Sequence, residues 1–282
     1  MDLSVVMAVY NQAATLPAAI ESIIKQSFFE FDFIIIDDHS TDETPLILNT
    51  YARKDKRIKV MVNRRHLGLT QSLNLGWRAA KTKYIARMDA DDEALPQRFK
   101  KQRDYLRRHT EIGLLGAGAY LINAGGGPAG VKILPQSSQT IKRVILSHCP
   151  FIHPTWMLSR QVLLEMDGYN EAFPYAQDYE LALRIVSRYP TANLPEPLMR
   201  YRVNSAEAIS LKQLKQQEAL AIKARWLALT QYGYPYREAW RLIKPALSFL
   251  VPQGIKRLIY EKIYWHGGNH RRGRAFHQKL GD

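Results

Sequence analysis

Lys83-Tyr84-Ile85-Ala86-Arg87-Met88 runs directly into Asp89-Ala90-Asp91-Asp92. The first part reads as a strand, and the second places three carboxylates within four positions at its end. Carboxylates so close repel one another unless a cation screens them, and hard divalent cations prefer oxygen ligands. In an open α/β sheet the carboxyl ends of the strands are where ligands bind. Mg²⁺ commonly takes one or two protein carboxylates and completes its shell with phosphate oxygens and water. The stretch therefore reads as a metal–diphosphate site on an α/β sheet. The competing reading is an acidic helix start, with Asp92 as N-cap ahead of Glu93 and Pro96.

The residues before this stretch alternate between two patterns. Leu3 to Val9 is a continuous apolar run rich in branched residues, as expected of a strand buried on both faces. Leu16, Ala19, Ile20, Ile23 and Ile24 then recur at helical spacing. Phe31 to Ile36 is a second strand, ending in Asp37-Asp38-His39-Ser40-Thr41-Asp42. Thr44 to Tyr51 reads as helix, Ile58 to Val62 as a third strand and Gly68 to Ala80 as helix. Strands and helices in this alternation predict a parallel sheet with right-handed crossovers.

Beyond residue 95 the pattern loosens. Pro96 to Arg108 predicts a basic amphipathic helix and Ile112 to Ile122 a strand. Ala124-Gly125-Gly126-Gly127-Pro128 predicts a turn without dinucleotide-fingerprint spacing. Short helices are expected over Ser137–Ser147 and Gln161–Met166, and a strongly patterned one over Asp178–Arg188. From Leu211 the chain reads as helical: Leu211 to Gln231, Tyr236 to Leu250 with a kink at Pro245, and Gly254 to Trp265.

The chain has 282 residues and a formal net charge of +14. The excess is concentrated in residues 211–282, which carry 14 Lys+Arg against 4 Asp+Glu. Such a segment implies an anionic partner: membrane headgroups, nucleic acid or an acidic glycan. One cysteine, Cys149, excludes an internal disulfide framework. The opening Met1-Asp2-Leu3-Ser4 lacks a basic n-region, so no secretory leader is expected. No run of 18 apolar residues suggests a spanning helix.

An ordered series of motifs resembles family 2 glycosyltransferases, the large inverting GT-A group that builds bacterial surface polysaccharides. Ser4-Val5-Val6-Met7-Ala8-Val9-Tyr10-Asn11 resembles the opening strand, and Ile35-Ile36-Asp37-Asp38 the second. Asn63 with Leu67-Gly68-Leu69 resembles the third-helix entry, and Asp89-Ala90-Asp91-Asp92 the Asp-x-Asp signature. His153-Pro154, Gly168-Tyr169 and Gln177-Asp178-Tyr179-Glu180-Leu181 resemble the acceptor-side motifs. Tyr201-Arg202-Val203-Asn204 with Ser210 resembles the closing segment. The resemblance covers roughly residues 1–215. It implies a GT-A domain over 1–210, with a Rossmann-like, mostly parallel sheet, a donor half to about residue 95 and an acceptor half after it. Residues 211–282 are expected to form a basic helical extension.

The resemblance also implies roles. Ala8, Tyr10, Asn11, Asp38, Asn63, Gly68, Asp89, Ala90 and Arg202 are expected at the nucleotide sugar, most simply a UDP-sugar. Tyr10 packs on the base and Asp38 accepts from its imide N–H; the alternative for Asp38 is an Asx-turn or helix cap. Asp91 is the direct ligand of Mn²⁺ or Mg²⁺, assisted by Asp89, with His153 a further candidate. Arg202 is a candidate diphosphate clamp. Asp178 is the candidate base that accepts the proton of the incoming hydroxyl. Many relatives carry Glu-Asp there; Gln177 keeps hydrogen-bonding capacity without the charge. Trp156, Tyr169 and Gln177 are acceptor-side candidates, with core packing the alternative for both aromatics. Glu180 is better explained by an i,i+4 pair with Arg184. Arg87 reads as surface or structural.

The expected activity is metal-dependent inverting transfer of a hexosyl group to a glycan or lipid-linked acceptor, in polysaccharide or lipopolysaccharide synthesis. The expected location is the bacterial cytoplasm, peripheral on the inner face of the membrane, with residues 211–282 on anionic lipid. No nucleic acid is expected as a partner, and self-association is left open. The alternatives are a catalytically inactive scaffold of the same fold and a basic polyanion-binding protein.

Overall fold

The computed structural model describes residues 1–203 and 213–251. Its first half follows the hydrophobic pattern closely. Leu3–Val9 forms β1, Phe31–Asp37 β2, Ile58–Val62 β3 and Tyr84–Met88 β4. Between them lie α1 (Leu16–Ile24), α2 (Thr44–Lys54) and α3 (Leu69–Ala79). β1 pairs in parallel with both β2 and β4, and β2 with β3.

β1 is apolar throughout because both of its faces are covered. Leu3, Val5, Met7 and Val9 pack in one core with Leu16, Ala19, Ile20 and Ile23 of α1. Val6 and Ala8 point into the other, with Leu73 and Trp77 of α3. Each such aliphatic side chain stabilises the fold by about 1.5–3 kcal/mol relative to exposure. Gly76 lets α3 come close: a Cβ there would lie 2.5 Å from Val6 Cγ1.

The second half adds β5 (Glu93–Ala94), α4 (Arg98–Arg108), β6 (Leu114–Ile122), β7 (Pro128–Lys132) and α5 (Ser138–Val144). A 3₁₀ turn at His153–Thr155 leads into β8 (Met157–Ser159) and α6 (Arg160–Glu165). α7 (Gln177–Arg188) and β9 (Thr191–Arg202) follow. Among the described residues nine strands form one sheet in the order β3-β2-β1-β4-β8-β6-β9-β5, with β7 on β6. β8 is antiparallel to β4 and β6, β7 to β6 and β5 to β9, whereas β6 and β9 are parallel. The parallel sheet expected from the sequence is thus the first four strands; beyond them the sheet is mixed.

β9 has no counterpart in the sequence reading. Pro195 and Pro197 interrupt it, and proline cannot donate to a ladder. The structure accommodates them with register shifts opposite Ala117–Tyr120. This strand matters because it carries Arg202 to the sheet edge where β4 ends.

The expected helix from Leu211 is α8 (Leu214–Thr230). Ala224, Ala228 and Leu229 join the core formed by α3 and α5–α7. Arg225 is buried there and donates to the carbonyls of Leu146 (2.9 Å) and Ser147 (3.2 Å). The segment expected as one helix kinked at Pro245 is instead a 3₁₀ helix over Tyr236–Leu242 followed by α9 (Ile243–Leu250). The break falls before Pro245, which sits in the first turn of α9, where a missing N–H costs little. Asn204 and Ser210, the helix expected over 254–265 and the Arg271-Arg272-Gly273-Arg274 run lie outside the described residues.

Candidate active site

The carboxyl ends of β1, β2 and β4 lie side by side, since Val9 is in register with Asp37 and Met7 with Met88. This brings together residues expected at the nucleotide sugar. Ala8 is buried, whereas Tyr10 is 41% exposed at the rim. Asn11, at φ 49°, accepts from Thr41 N–H through Oδ1 at 2.8 Å, and its own N–H donates to Ser40 Oγ at 3.0 Å. The two loops after β1 and β2 are thereby tied to each other.

Asp38 is the hub of this corner and is buried. Oδ1 accepts from Asn63 Nδ2 (2.7 Å) and Leu67 N–H (2.8 Å). Oδ2 accepts from Gly68 N–H at 2.8 Å and lies 2.9 Å from His66 Nδ1. A carboxylate offers about four lone-pair sites, so all are engaged. Asn63 also donates to Ser72 Oγ of α3 at 2.9 Å, and Gly68 adopts φ 89° ahead of that helix. Asp38 therefore shapes the entry to α3; neither His66 nor this saturation was foreseen in the sequence.

Asp89, Asp91 and Asp92 each offer one oxygen such that all three atoms lie within 4.8 Å of one another. Ala90, between them, is buried. Asp92 Oδ1 accepts from the Arg202 N–H at 2.8 Å, while its buried Oδ2 has no hydrogen-bond partner. Burial and the nearby Asp89 charge push the Asp91 carboxyl up to about 6. Burial, then Asp91 and Asp89, push Asp92 well above the usual range. A desolvated, like-charged cluster with an orphaned oxygen could hold a hard divalent cation, with Asp89, Asp91 and Asp92 the residues that would ligate it. Arg202 fastens the same loop: Nε donates to Asp91 O at 2.9 Å, and Nη1 to Asn123 O (3.1 Å) and Ala124 O (2.8 Å).

Two arginines under the cluster were not recognised as site residues in the sequence. Arg87 is buried and ion-paired with Asp89. Its position on β4 shares parity with Ile85, which faces the α3–α7 core, and that parity was the available signal. Arg98 is fully buried; Nη2 donates to Arg87 O at 2.7 Å and Nε to Gln102 Oε1 at 3.0 Å. Burial and the neighbouring Arg87 push it down to about 9.

The segment around Tyr169, expected on the acceptor side, is placed by α3. Asn74 Oδ1 accepts from Trp77 Nε1 (2.9 Å) and Tyr169 N–H (3.0 Å), while Nδ2 donates to Tyr169 O at 2.9 Å. Gly168, at φ 66°, fits under this seam; a Cβ there would lie 2.4 Å from Trp77 Nε1. Gly168→Ala should lower stability by about 3 kcal/mol through combined backbone strain and overpacking, read as a fall in urea midpoint. A midpoint equal to wild type would remove the seam from the account.

The seam aims the Tyr169 hydroxyl at His153 Nε2, 2.8 Å away. Burial, reinforced by Arg87, holds His153 well below its ordinary value. Trp156 is completely buried, edge-on to His153 and Phe151, and its Nε1 has no partner. Gln177 is buried and Asp178 partly exposed at the start of α7, after Ala176 in the left-handed region. Desolvation raises the Asp178 carboxyl, which also feels the charges of Arg87 and Asp89. Glu180 is buried and paired with Arg184 at 2.7 Å, and it accepts from the Tyr232 hydroxyl at 2.6 Å. Arg184 Nε and Nη2 and the Tyr232 hydroxyl thus engage three of its lone-pair sites in structural contacts.

The Glycosyl transferase family 2 model matches residues 4–166. The chain is 34% identical over 210 residues to the O-antigen biosynthesis glycosyltransferase WbnJ of Escherichia coli, which spans 72% of this chain and 80% of that one. It is 29% identical over 257 residues to the Escherichia coli UDP-Glc:alpha-D-GlcNAc-diphosphoundecaprenol beta-1,3-glucosyltransferase WfaP, at 88% and 96% coverage. Among solved structures, S. aureus TarS 1-349 in complex with UDP-GlcNAc superposes with a TM-score of 0.65 at 19% identity, covering 94% of this chain and 85% of that one. At that identity the match speaks to fold.

Proposed function

The chain belongs to glycosyl transferase family 2 and is a glycosyltransferase, and from that premise we propose that it moves a hexosyl group from a UDP-sugar to a glycan or lipid-linked acceptor, with inversion and with a divalent cation. The observation that carries the proposal is the Asp89–Asp91–Asp92 cluster at the end of β4, with the carboxylate of Asp178 near enough to feel Asp89 and Arg87. The WfaP name specifies UDP-Glc and a diphosphoundecaprenol-linked acceptor for that relative, and TarS was solved with UDP-GlcNAc. Both favour a UDP-sugar here, and WfaP favours a lipid-linked acceptor.

In this reading Tyr10, Asn11, Asp38 and Asn63 frame the nucleotide, and Asp89 lies toward the ribose. Mn²⁺ or Mg²⁺ at Asp91 supplies charge neutralisation for the departing diphosphate. Asp178 accepts the proton of the acceptor hydroxyl, whose oxygen attacks the anomeric carbon as the bond to the diphosphate breaks. One base and a single displacement give inversion. Tyr169 and His153 form the wall behind the acceptor, Trp156 packs edge-on to His153 as a fully buried core residue, and Gln177 is within the same helix start as the base. Arg202 holds the acidic loop in place and remains a candidate for the diphosphate. A screen of UDP-, dTDP- and GDP-sugars for nucleoside diphosphate release tests the donor assignment. Release from a UDP-sugar supports it, and release confined to another base rejects it.

The proposal extends to a membrane surface. No helix among the described residues is long and apolar enough to cross a bilayer. Trp226, Tyr236, Trp240, Ile243 and Leu247 are nonetheless exposed, beside the exposed Arg237 and Lys244. Aromatic and aliphatic groups with basic neighbours suit the interface of an anionic bilayer. Each basic residue near such a surface contributes about 1 kcal/mol. Liposomes containing anionic lipid should co-sediment the full chain at low salt, and Trp226→Ser with Trp240→Ser should reduce the bound fraction about tenfold. Equal sedimentation of the variant would take these residues out of the interaction.

A further inference from the structure

His66 occupies both features that a nucleobase needs in the corner formed by β1 and β2. Its ring lies against Tyr10, with centroids 4.1 Å apart and planes inclined by 35°. Its Nδ1 stands 2.9 Å from Asp38 Oδ2. The remaining contacts of that carboxylate are two backbone N–H groups and the Asn63 amide, which belong to the frame and stay put. His66 is the exception, because its side chain is 52% exposed. The backbone next to it is pinned at Leu67 and Gly68, so the ring can leave by side-chain rotation with the loop held fixed.

We infer that His66 is a residue of the nucleotide site that closes it in the free protein, and that the donor's base displaces it. This rests on the nucleotide reading of Tyr10 and Asp38. The exchange conserves interactions. A uracil imide N–H replaces the imidazole at Asp38 Oδ2, and the uracil face replaces the imidazole face on Tyr10. A base lacking an N–H at that position leaves Asp38 Oδ2 with the Gly68 N–H alone after His66 departs, one hydrogen bond short in a buried carboxylate. The affinity for every nucleotide is reduced by the fraction of molecules in which His66 is out, as for any site whose competent form is partly populated.

Calorimetric titration of UDP in Mn²⁺ into the full-length wild type, His66→Ala and Asp38→Asn separates the possibilities. His66→Ala should bind UDP about tenfold more tightly, the gain expected if the closed form dominates roughly nine to one. Asp38→Asn should bind it more weakly than wild type. In the wild type, the His66 imidazole NMR signals should shift on UDP addition. Equal or weaker binding by His66→Ala, with UDP bound normally by wild type, overturns the role of His66 and leaves the nucleotide reading intact. No UDP binding by wild type or His66→Ala overturns the nucleotide reading and this inference with it.

Discussion

Asp91→Asn should lower kcat/KM about 10³-fold, equivalent to about 4 kcal/mol of transition-state stabilisation, while the fold persists. The substitution keeps the shape of the side chain and removes its charge. Asp91 is only partly buried and already strained electrostatically, its carboxyl pushed up to about 6 by burial and by Asp89. Removing that charge relieves repulsion in the cation-free protein, so the urea midpoint should not fall. It also removes the oxygen charge best placed to hold a cation, so activity should fall even at high Mn²⁺. EDTA should reproduce the loss in the wild type, and added Mn²⁺ or Mg²⁺ should restore activity. A variant with wild-type turnover would move the metal site elsewhere.

Asp178→Asn should lower kcat by about 10³-fold with UDP affinity unchanged, the range expected for loss of a general base. The side chain stands in the first turn of α7, and in the proposed mechanism it faces the acceptor rather than the nucleotide. Desolvation raises its carboxyl above the ordinary Asp value, and a base must be ionised to act. kcat/KM should therefore rise with pH through a value above about 3.9, the unperturbed aspartate pKa. The protonated form below that value is inactive. The variant should lose this limb together with its turnover. If Asp178→Asn instead lost UDP binding at unchanged kcat, the residue would belong to the donor side.

The parallel half of the fold was legible because its strands are buried on both faces and read as unbroken apolar runs. The acidic cluster was legible for the opposite reason, since charges so close in sequence demand a partner. What failed to show was contributed by tertiary context. β9 hid behind Pro195 and Pro197, which only the register shifts against β6 make tolerable. Arg87 read as surface or structural, and the pleat of β4 turns it inward onto Asp89. Asp38 was identified as important, yet its four contacts come from loop residues whose approach no local pattern announces. Glu180 behaved as the i,i+4 rule predicts, pairing with Arg184. The basic tail illustrates a different limit. Its charge was plain, but the docking of α8 into the main core depends on Ala224, Ala228 and Leu229 meeting a surface that the rest of the chain builds.

The central claim is that UDP and a divalent cation bind together at the edge formed by β1, β2 and β4. Calorimetric titration of UDP into the wild type, once with Mn²⁺ and once with EDTA, tests it without knowledge of the acceptor. The account predicts saturable one-to-one binding in Mn²⁺ that weakens at least about tenfold in EDTA. Equal affinity in both solutions, or no binding in either, would contradict it.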